Sequence, residues 1–399
     1  MPKKLNGREV LIKVSGPDHP GITKELMGII KKTNNPLLDM GQSVTHGLLS
    51  LSFVIRVSEE NNENDHVLKD LLFAANNMDL KLDYKIVEAQ EICNDKTEKF
   101  ILNCVSVEEI QADFVCDIAT VLAEHGINIK RIDKVSPRAF RSLEISTEVP
   151  VGLDWHKVKS ELITTSNGHR VDVAFLKDNV YRRSKRLIVF DMDSTLIQTE
   201  VIDELADACG VGEEVKAITE QAMNGEIDFD ESLIKRVSKL KGLKAEKMQH
   251  ILDNLPLTPG VEDFMKTIKS LGYKVAVISG GFTFFANALK EKLGLDYSFA
   301  NELEIIDGEL TGKVVGTIIN AEQKAMLVNL ISQQENISLE QVVAIGDGAN
   351  DLPMLAIAGL GIAFHAKEIV KKEAQQHMSH GPMTSILYFL GIPGHEDVV

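Results

Sequence analysis

Apolar residues in the first part of the chain fall twice into the same succession: strand, helix, strand, strand, helix, strand. Val10 to Val14 is strand-like, and Ile22, Leu26, Ile29 and Ile30 give the i, i+4, i+7, i+8 stripe of an amphipathic helix. Leu49, Leu51, Phe53, Ile55 and Val57 alternate with a period of two, Val67, Leu68, Leu71, Leu72 and Ala75 mark a second helix, and Leu82 to Val87 a last strand. Roughly 90 residues on, the pattern returns. Phe100 to Val105 is a strand, Phe114, Ile118, Val121 and Leu122 a helical stripe closed by Gly126, and Ile127 to Ile132, Leu143 to Thr147, Trp155 to Ile163 and Val171 to Phe175 complete it. Such βαββαβ copies build antiparallel sheets with helices on one face.

From Leu187 the pattern changes to strands alternating with helices. Leu187 to Phe190, Lys274 to Ile278 and Val342 to Ile345 are short, apolar and mostly β-branched, as parallel strands buried on both faces require. Between the first two, helices are predicted near Ile202–Ala208, Glu214–Met223, Phe229–Lys241 and Ala245–Asn254, enough for a helical cap over residues 200–257. Asp307-Gly308 supplies the positive φ angles of a tight hairpin, whose strands would extend the sheet edge.

At 399 residues, 44% hydrophobic and 26% charged, the chain is globular and long enough for two or three domains. Its net charge of −16 argues against a general field for nucleic acid or anionic membrane, and neither partner is expected. The longest apolar stretch, near Leu352 to Phe364, is too short to span a bilayer, and Met1-Pro2-Lys3-Lys4 leads into no signal-peptide core. Cys93, Cys104, Cys116 and Cys209 form no C-x-x-C pair, which favours reduced thiols and the cytoplasm. Lys177 to Arg186 holds five basic residues and is expected to be a solvated linker.

Each buried strand runs into a polar segment: Asp191 to Thr195, Ser279-Gly280-Gly281, and Gly346 to Asp351. Ligands bind beyond the carboxyl ends of such strands, so the three segments converge. Taken singly, Asp191–Thr195 fits a helix N-cap, Gly346–Asp351 an Asx turn, and Lys324 an ordinary surface lysine. Taken together, Asp191, Asp193, Asp347 and Asp351 bring four carboxylates to one place, and an all-oxygen set calls for a hard cation such as Mg²⁺. Asp191 then suits a nucleophile on phosphorus and Asp193 a general acid and base. Mg²⁺ on Asp191, a backbone carbonyl and Asp347 would relieve the repulsion between two anions. Lys324, Ser279 and Gly280 are placed to hold phosphate oxygens.

Asp191-Met192-Asp193-Ser194-Thr195, Ser279-Gly280-Gly281, Lys324 and Gly346-Asp347-Gly348-Ala349-Asn350-Asp351 resemble, in order and spacing, the four motifs of the haloacid dehalogenase superfamily of phosphatases. Glu200 and the run Phe229 to Val237 are similar to its phosphoserine-hydrolysing branch, over about residues 185–395. The amino-terminal copies resemble tandem ACT domains, which usually bind amino acids. The resemblance implies an α/β fold: a Rossmann-like parallel-sheet core with a helical cap (185–395), preceded by two α+β, ferredoxin-like ACT-type domains (8–92 and 98–178).

The resemblance also assigns roles. Asp191, Asp193 and Asp347 become the Mg²⁺ shell, with Asp351 just outside it. Glu200 meets a serine ammonium and Arg236 its carboxylate, Met223 and Phe229 form apolar parts of the cap, and Asn350 contacts phosphate. O-phosphoserine is the expected substrate and serine biosynthesis the setting. Phosphothreonine or phosphohomoserine hydrolysis, phosphotransfer, or an amino-acid sensor with a vestigial catalytic half are the alternatives. Asp18, His19 and Gly21 resemble a regulatory loop for serine or another amino acid, and equally fit a plain turn. The second copy lacks the Pro-Gly pair there, between Val107 and Asp113. Sheet edges of this kind pair readily, so a homodimer is expected.

Overall fold

The computed structural model describes residues 8–33, 35–57, 64–87, 97–136, 139–224 and 226–392. The chain forms two compact units, divided after Asp95. The first contains β1 (Arg8–Pro17), α1 (Ile22–Thr33), β2 (Leu37–Thr45), β3 (Leu48–Val57), α2 (Asn64–Asn77) and β4 (Lys81–Val87). Its sheet has the order β2-β3-β1-β4 and is antiparallel throughout. Val10, Ile12 and Val14 point one way along β1, opposite Ile55, Phe53 and Leu51 of β3, and pack with Leu26 and Leu71 of the helices. Both helices cover that one face, as expected, and the opposite face, with Glu9, Lys13, Ser50 and Ser52, is more exposed.

The second unit opens with the second copy: β5 (Thr97–Ser106), α3 (Ala112–Glu124), β6 (Asn128–Lys134), β7 (Ser142–Pro150), α4 (Trp155–Gly168) and β8 (Val171–Lys177), in the sheet order β6-β7-β5-β8. Both faces of β5 and β8 are buried, because Val105 and Ala174 join the core of the large sheet that follows. The segment after β8 is not the solvated linker expected. Arg182 is buried and makes a two-pronged bond to Glu144, at 2.9 and 3.2 Å, and a third to Asp178 at 3.2 Å. A basic run reads as solvent-facing only while its acidic partners, distant in sequence, are unknown.

The large sheet is built from β9 (Leu187–Phe190), β10 (Lys274–Phe282), β11 (Tyr297–Ile306), β12 (Glu309–Val315), β13 (Val342–Gly346), β14 (Leu360–Phe364) and β15 (Gln376–Met378). The order is β12-β11-β10-β9-β13-β14-β15, parallel except for the β11–β12 hairpin, where Asp307 and Gly308 have φ of 50° and 81°. β9 is central. Ile188 and Phe190 enter one core and Leu187 and Val189 the other, which explains the unbroken apolar runs. β14 and β15 were not anticipated, since Leu360–Phe364 sits inside an apolar stretch with no change of period.

Five helices lie between β9 and β10, and the first four, α5 (Val201–Cys209), α6 (Gly212–Met223), α7 (Phe229–Lys239) and α8 (Ala245–Asp253), fall in the expected cap region. The remaining helices are α9 (Val261–Ser270), α10 (Thr283–Leu293), α11 (Ala321–Gln334), α12 (Leu352–Ile357), α13 (Glu368–Glu373) and α14 (Ile386–Phe389). Among the described residues no helix is long and apolar enough to cross a membrane.

Candidate active site

β9 lies between β10 and β13, so the residue after Phe190 stands at the middle of the sheet's carboxyl edge. That residue is Asp191, whose amide donates to the Ile345 carbonyl at 2.9 Å. The chain then turns sharply: Ser194 has φ of 54°, and the Met192 carbonyl accepts from the amides of Leu196 and Ile197 at 2.8 and 3.1 Å. This loop keeps Asp193 within electrostatic reach of Asp191.

Lys324 comes from the first turn of α11, capped by Asn320, whose side chain accepts the Gln323 amide at 3.1 Å. Its Nζ lies 2.8 Å from Asp191 Oδ1 and 2.6 Å from Asp351 Oδ1, and the side chain is 0% exposed. Burial acts to lower the lysine's pKa, but Asp191 and Asp351 outweigh it and hold the group charged. Asp351 also accepts the Gly348 amide at 2.9 Å. Gly346 leaves room for it, since a Cβ there would collide with the Asp351 carboxylate.

Asp347 accepts the Thr195 hydroxyl at 3.1 Å. Carboxylate oxygens of Asp191, Asp347 and Asp351 lie within 4.8 Å of one another. Burial, then Asp191 and Asp351, push Asp347 up to about 8; burial, then Asp191, push Asp351 up to about 6. Three crowded acids with one ammonium among them are short of positive charge, and an all-oxygen set fits a hard divalent cation.

Asp193 is turned away from this cluster. Its Oδ1 accepts the Val201 amide at 2.9 Å, and its Oδ2 lies 3.4 Å from the Ser279 hydroxyl, which donates to it. Of the four carboxylates expected together, those of Asp191, Asp347 and Asp351 group here, while that of Asp193 is held by Val201 and Ser279. The first amide of α5 lacks an intrahelical acceptor and captures the nearest carboxylate. Burial, then Glu200 and Asp191, raise Asp193 well above the usual carboxylate range.

The β10 loop completes the floor. Gly281 donates to Ser279 Oγ at 2.8 Å, and a Cβ on Gly281 would stand 2.5 Å from Asp193 Oδ2. Buried Asn301 of β11 donates to the Gly280 carbonyl at 2.7 Å and accepts the Ile319 amide at 2.8 Å, fixing this loop. Asn301 was not singled out from the sequence. Its one signal was an amide two residues before Leu303, on the same buried face of a strand.

On the cap side, Glu200 accepts the Ser194 hydroxyl at 2.8 Å. Water reaches Glu200, yet protein crowds its carboxylate from the sides, so burial raises its pKa, helped by Asp191 and opposed by Ser194 and Arg236. Arg236, in the last turn of α7, is half-buried and feels Asp203, Glu200 and Asp193. Phe229 begins the same helix and packs over Gly280, where a Cβ would be 3.0 Å from its ring. Asn350 is half-buried against Gly348. The Met223 side chain lies outside the described residues, and Asp18, His19 and Gly21 occupy an exposed β1–α1 loop of the other unit.

Residues 185–359 match the haloacid dehalogenase-like hydrolases, and residues 8–85 and 104–176 match ACT domains. Sheet and site thus define a hydrolase of the haloacid dehalogenase class with two ACT domains. The chain is 37% identical over 389 residues to a phosphoserine phosphatase of Streptomyces coelicolor, spanning 97% of this chain and 93% of that one. It is 37% identical over 392 residues to a phosphoserine phosphatase of Mycobacterium tuberculosis, spanning 98% and 94%. A crystal structure of a haloacid dehalogenase-family hydrolase from Salmonella enterica serovar Typhi matches with a TM-score of 0.63 at 30% identity, covering 75% of this chain and 100% of that one. A probable phosphoserine phosphatase from Vibrio cholerae, unliganded, matches at 0.59 and 35%, covering 76% and 89%. The chain belongs to the phosphoserine phosphatase family, and it is an enzyme.

Proposed function

We propose that the chain hydrolyses O-phospho-L-serine to L-serine and phosphate through an aspartyl-phosphate on Asp191. The observation that carries the substrate is that Glu200 and Arg236, of opposite charge, lie within electrostatic reach of each other and of Asp193. A carboxylate and a guanidinium at the mouth of one acid site complement the ammonium and carboxylate of a single amino acid.

In the first half-reaction an Asp191 oxygen attacks phosphorus and the bond from phosphorus to the serine oxygen breaks. Asp193, kept protonated by its raised pKa, gives its proton to that oxygen. In the second, Asp193 as carboxylate takes a proton from water, the water oxygen attacks phosphorus, and the bond to Asp191 breaks. Lys324 is placed to offset charge on the transferring group, and Ser279 and Gly280 to hold its oxygens. Asp191 and Asp347 would hold Mg²⁺, with Asp351 tethering Lys324 beside them; bound there, the ion would neutralise phosphate charge. Phe229 and Met223 close the cap over the substrate, and Asn350 contacts phosphate.

The same reading organises the chain as ACT-type domains at 8–92 and 98–178 and a phosphatase domain at 185–395. It places the reaction last in serine biosynthesis, in a cytoplasmic homodimer whose Asp18–Gly21 loop binds serine or a related amino acid. The test is a comparison of substrates. Arg236→Ala should lower kcat/KM for phosphoserine by roughly 10²-fold and for an aryl phosphate by under threefold. Equal losses for both would remove Arg236 from the serine carboxylate.

A further inference from the structure

A cavity of about 790 Å³ lies within the second unit, between α4 and β8 on one side and the α12–β14 turn and β15 on the other. Glu340 and Gly359, which precede β13 and β14, are part of its lining, so it reaches the amino ends of those strands. Asp191 and Asp347 follow the carboxyl ends. The two sites are at opposite edges of one sheet.

Its lining holds more basic than acidic side chains, six lysines and arginines against Glu340, Glu368 and Glu373, in an acidic protein. Lys159 Nζ has the Ala374 carbonyl at 3.1 Å, and Lys185 Nζ the Glu340 carbonyl at 2.6 Å; among the described residues neither lysine has a carboxylate within ion-pair distance. Burial pushes each of them down to about 8; for Lys159 nothing opposes it, and for Lys185 the charge of Glu340 opposes it only in part. The nearby Lys371 is different, since Glu368 meets it at 3.0 Å. His377 also lines the cavity at 2% exposure, and its Nδ1 has no hydrogen-bond partner. A buried polar atom left without a partner costs about 1–3 kcal/mol unless something supplies one.

The walls are held in place. The Gln376 side chain accepts from the Phe175 amide at 3.3 Å and donates to its carbonyl at 3.1 Å. Asp172 of β8 accepts the amides of Ser379 and His380 at 2.7 and 3.0 Å. Trp155, one helical turn before Lys159, forms an apolar wall. Size, aromatic wall and a few converging polar groups are the marks of a small-molecule site.

We propose that this cavity is a second binding site, separate from the catalytic one, for an organic or inorganic anion carrying two acidic groups. Lys159 and Lys185 each meet one acidic group and His377 completes a hydrogen bond. Carboxylates and phosphates share this chemistry, so citrate and inorganic pyrophosphate are the two probes.

Trp155 is the chain's single tryptophan and lines the cavity, so a ligand bound there should alter its emission. The full chain is titrated with each probe without divalent cation, by tryptophan emission and by calorimetry. At least one probe should give a saturable change; Lys159→Gln or Lys185→Gln should weaken it roughly tenfold or more. Both variants should keep phosphatase activity without the probe, and Asp191→Asn should bind as the unaltered chain does. A response to citrate alone identifies a carboxylate site, and to pyrophosphate alone a phosphate site. The proposal is overturned if neither probe saturates in the unaltered chain, if both lysine variants bind unchanged, or if Asp191→Asn abolishes binding. Should both variants unfold, the response of the unaltered chain and of Asp191→Asn decides the matter.

Discussion

Lys324 Nζ, sealed from water, lies 2.8 Å from Oδ1 of the buried Asp191 and 2.6 Å from Asp351 on its other side. One ammonium therefore serves two acids, and its removal leaves them facing each other. Lys324→Met should lower kcat by roughly 10²–10³-fold. In chelator it should also lose about 3–5 kcal/mol of stability, because buried charges are left unpaired. Denaturant unfolding with and without Mg²⁺ measures the second effect; unchanged midpoints would contradict the pairing.

Asp193 is expected to be protonated when substrate binds, from burial and its acidic neighbours. Asp193→Asn keeps the shape and removes the proton transfer, so kcat should fall roughly 10²–10⁴-fold. With an aryl phosphate, whose leaving group needs little protonation, a phosphorylated protein should accumulate. Intact-mass spectrometry after a short incubation checks this, and absence of the adduct would argue against Asp193 as the base of the second step.

Gly281 leaves no space for a side chain beside Asp193 Oδ2. Gly281→Ala should push that carboxylate off its position and reduce kcat by roughly tenfold or more, with a smaller effect on KM. Steady-state kinetics separates the two; a pure KM effect would place the glycine at substrate binding instead.

Asn320 caps α11 and, through Nδ2, donates to Asp230 Oδ1 of the cap helix α7 at 3.2 Å. Asn320→Asp keeps a good N-cap but sets two carboxylates together across the cleft. KM should rise roughly threefold to tenfold with thermal stability changed by under about 1 kcal/mol. A stability loss with unchanged KM would reduce Asn320 to its capping role.

His377 is pushed down to about 4 from an ordinary 6.5 by burial, then by Lys371 and Lys159, with Glu368 opposing and His380 adding to the shift. The unfolded chain therefore takes up a proton, between pH 6.5 and 4, that the folded chain refuses. Stability from this group is complete above that window and declines as pH falls through it, by about 2 kcal/mol at pH 5. His377→Gln should remove that part of the slope. Unfolding free energies of both proteins at pH 7.5 and 5 give the difference directly, and parallel slopes would exclude the effect.

The sequence by itself determined what short-range periodicity and strand-end chemistry encode. The period-two run of β3, the buried runs of β9, β10 and β13, and the Asp-Gly turn follow from side-chain direction and backbone strain, which are local. Asp191 and Asp347 were legible for a related reason, since a strand buried on both faces must present its function at its end; Lys324, on a helix, stood out only beside the other motifs. Tertiary structure alone decided which of the acids stand together, because the amide of Val201 draws Asp193 aside while Lys324 draws Asp351 in. It also decided that Arg182 is buried against Glu144 and that Asn301 braces Gly280. In each case the partner lies at least eight residues away along the chain. A charge or an amide shows no sign in sequence of what it will face.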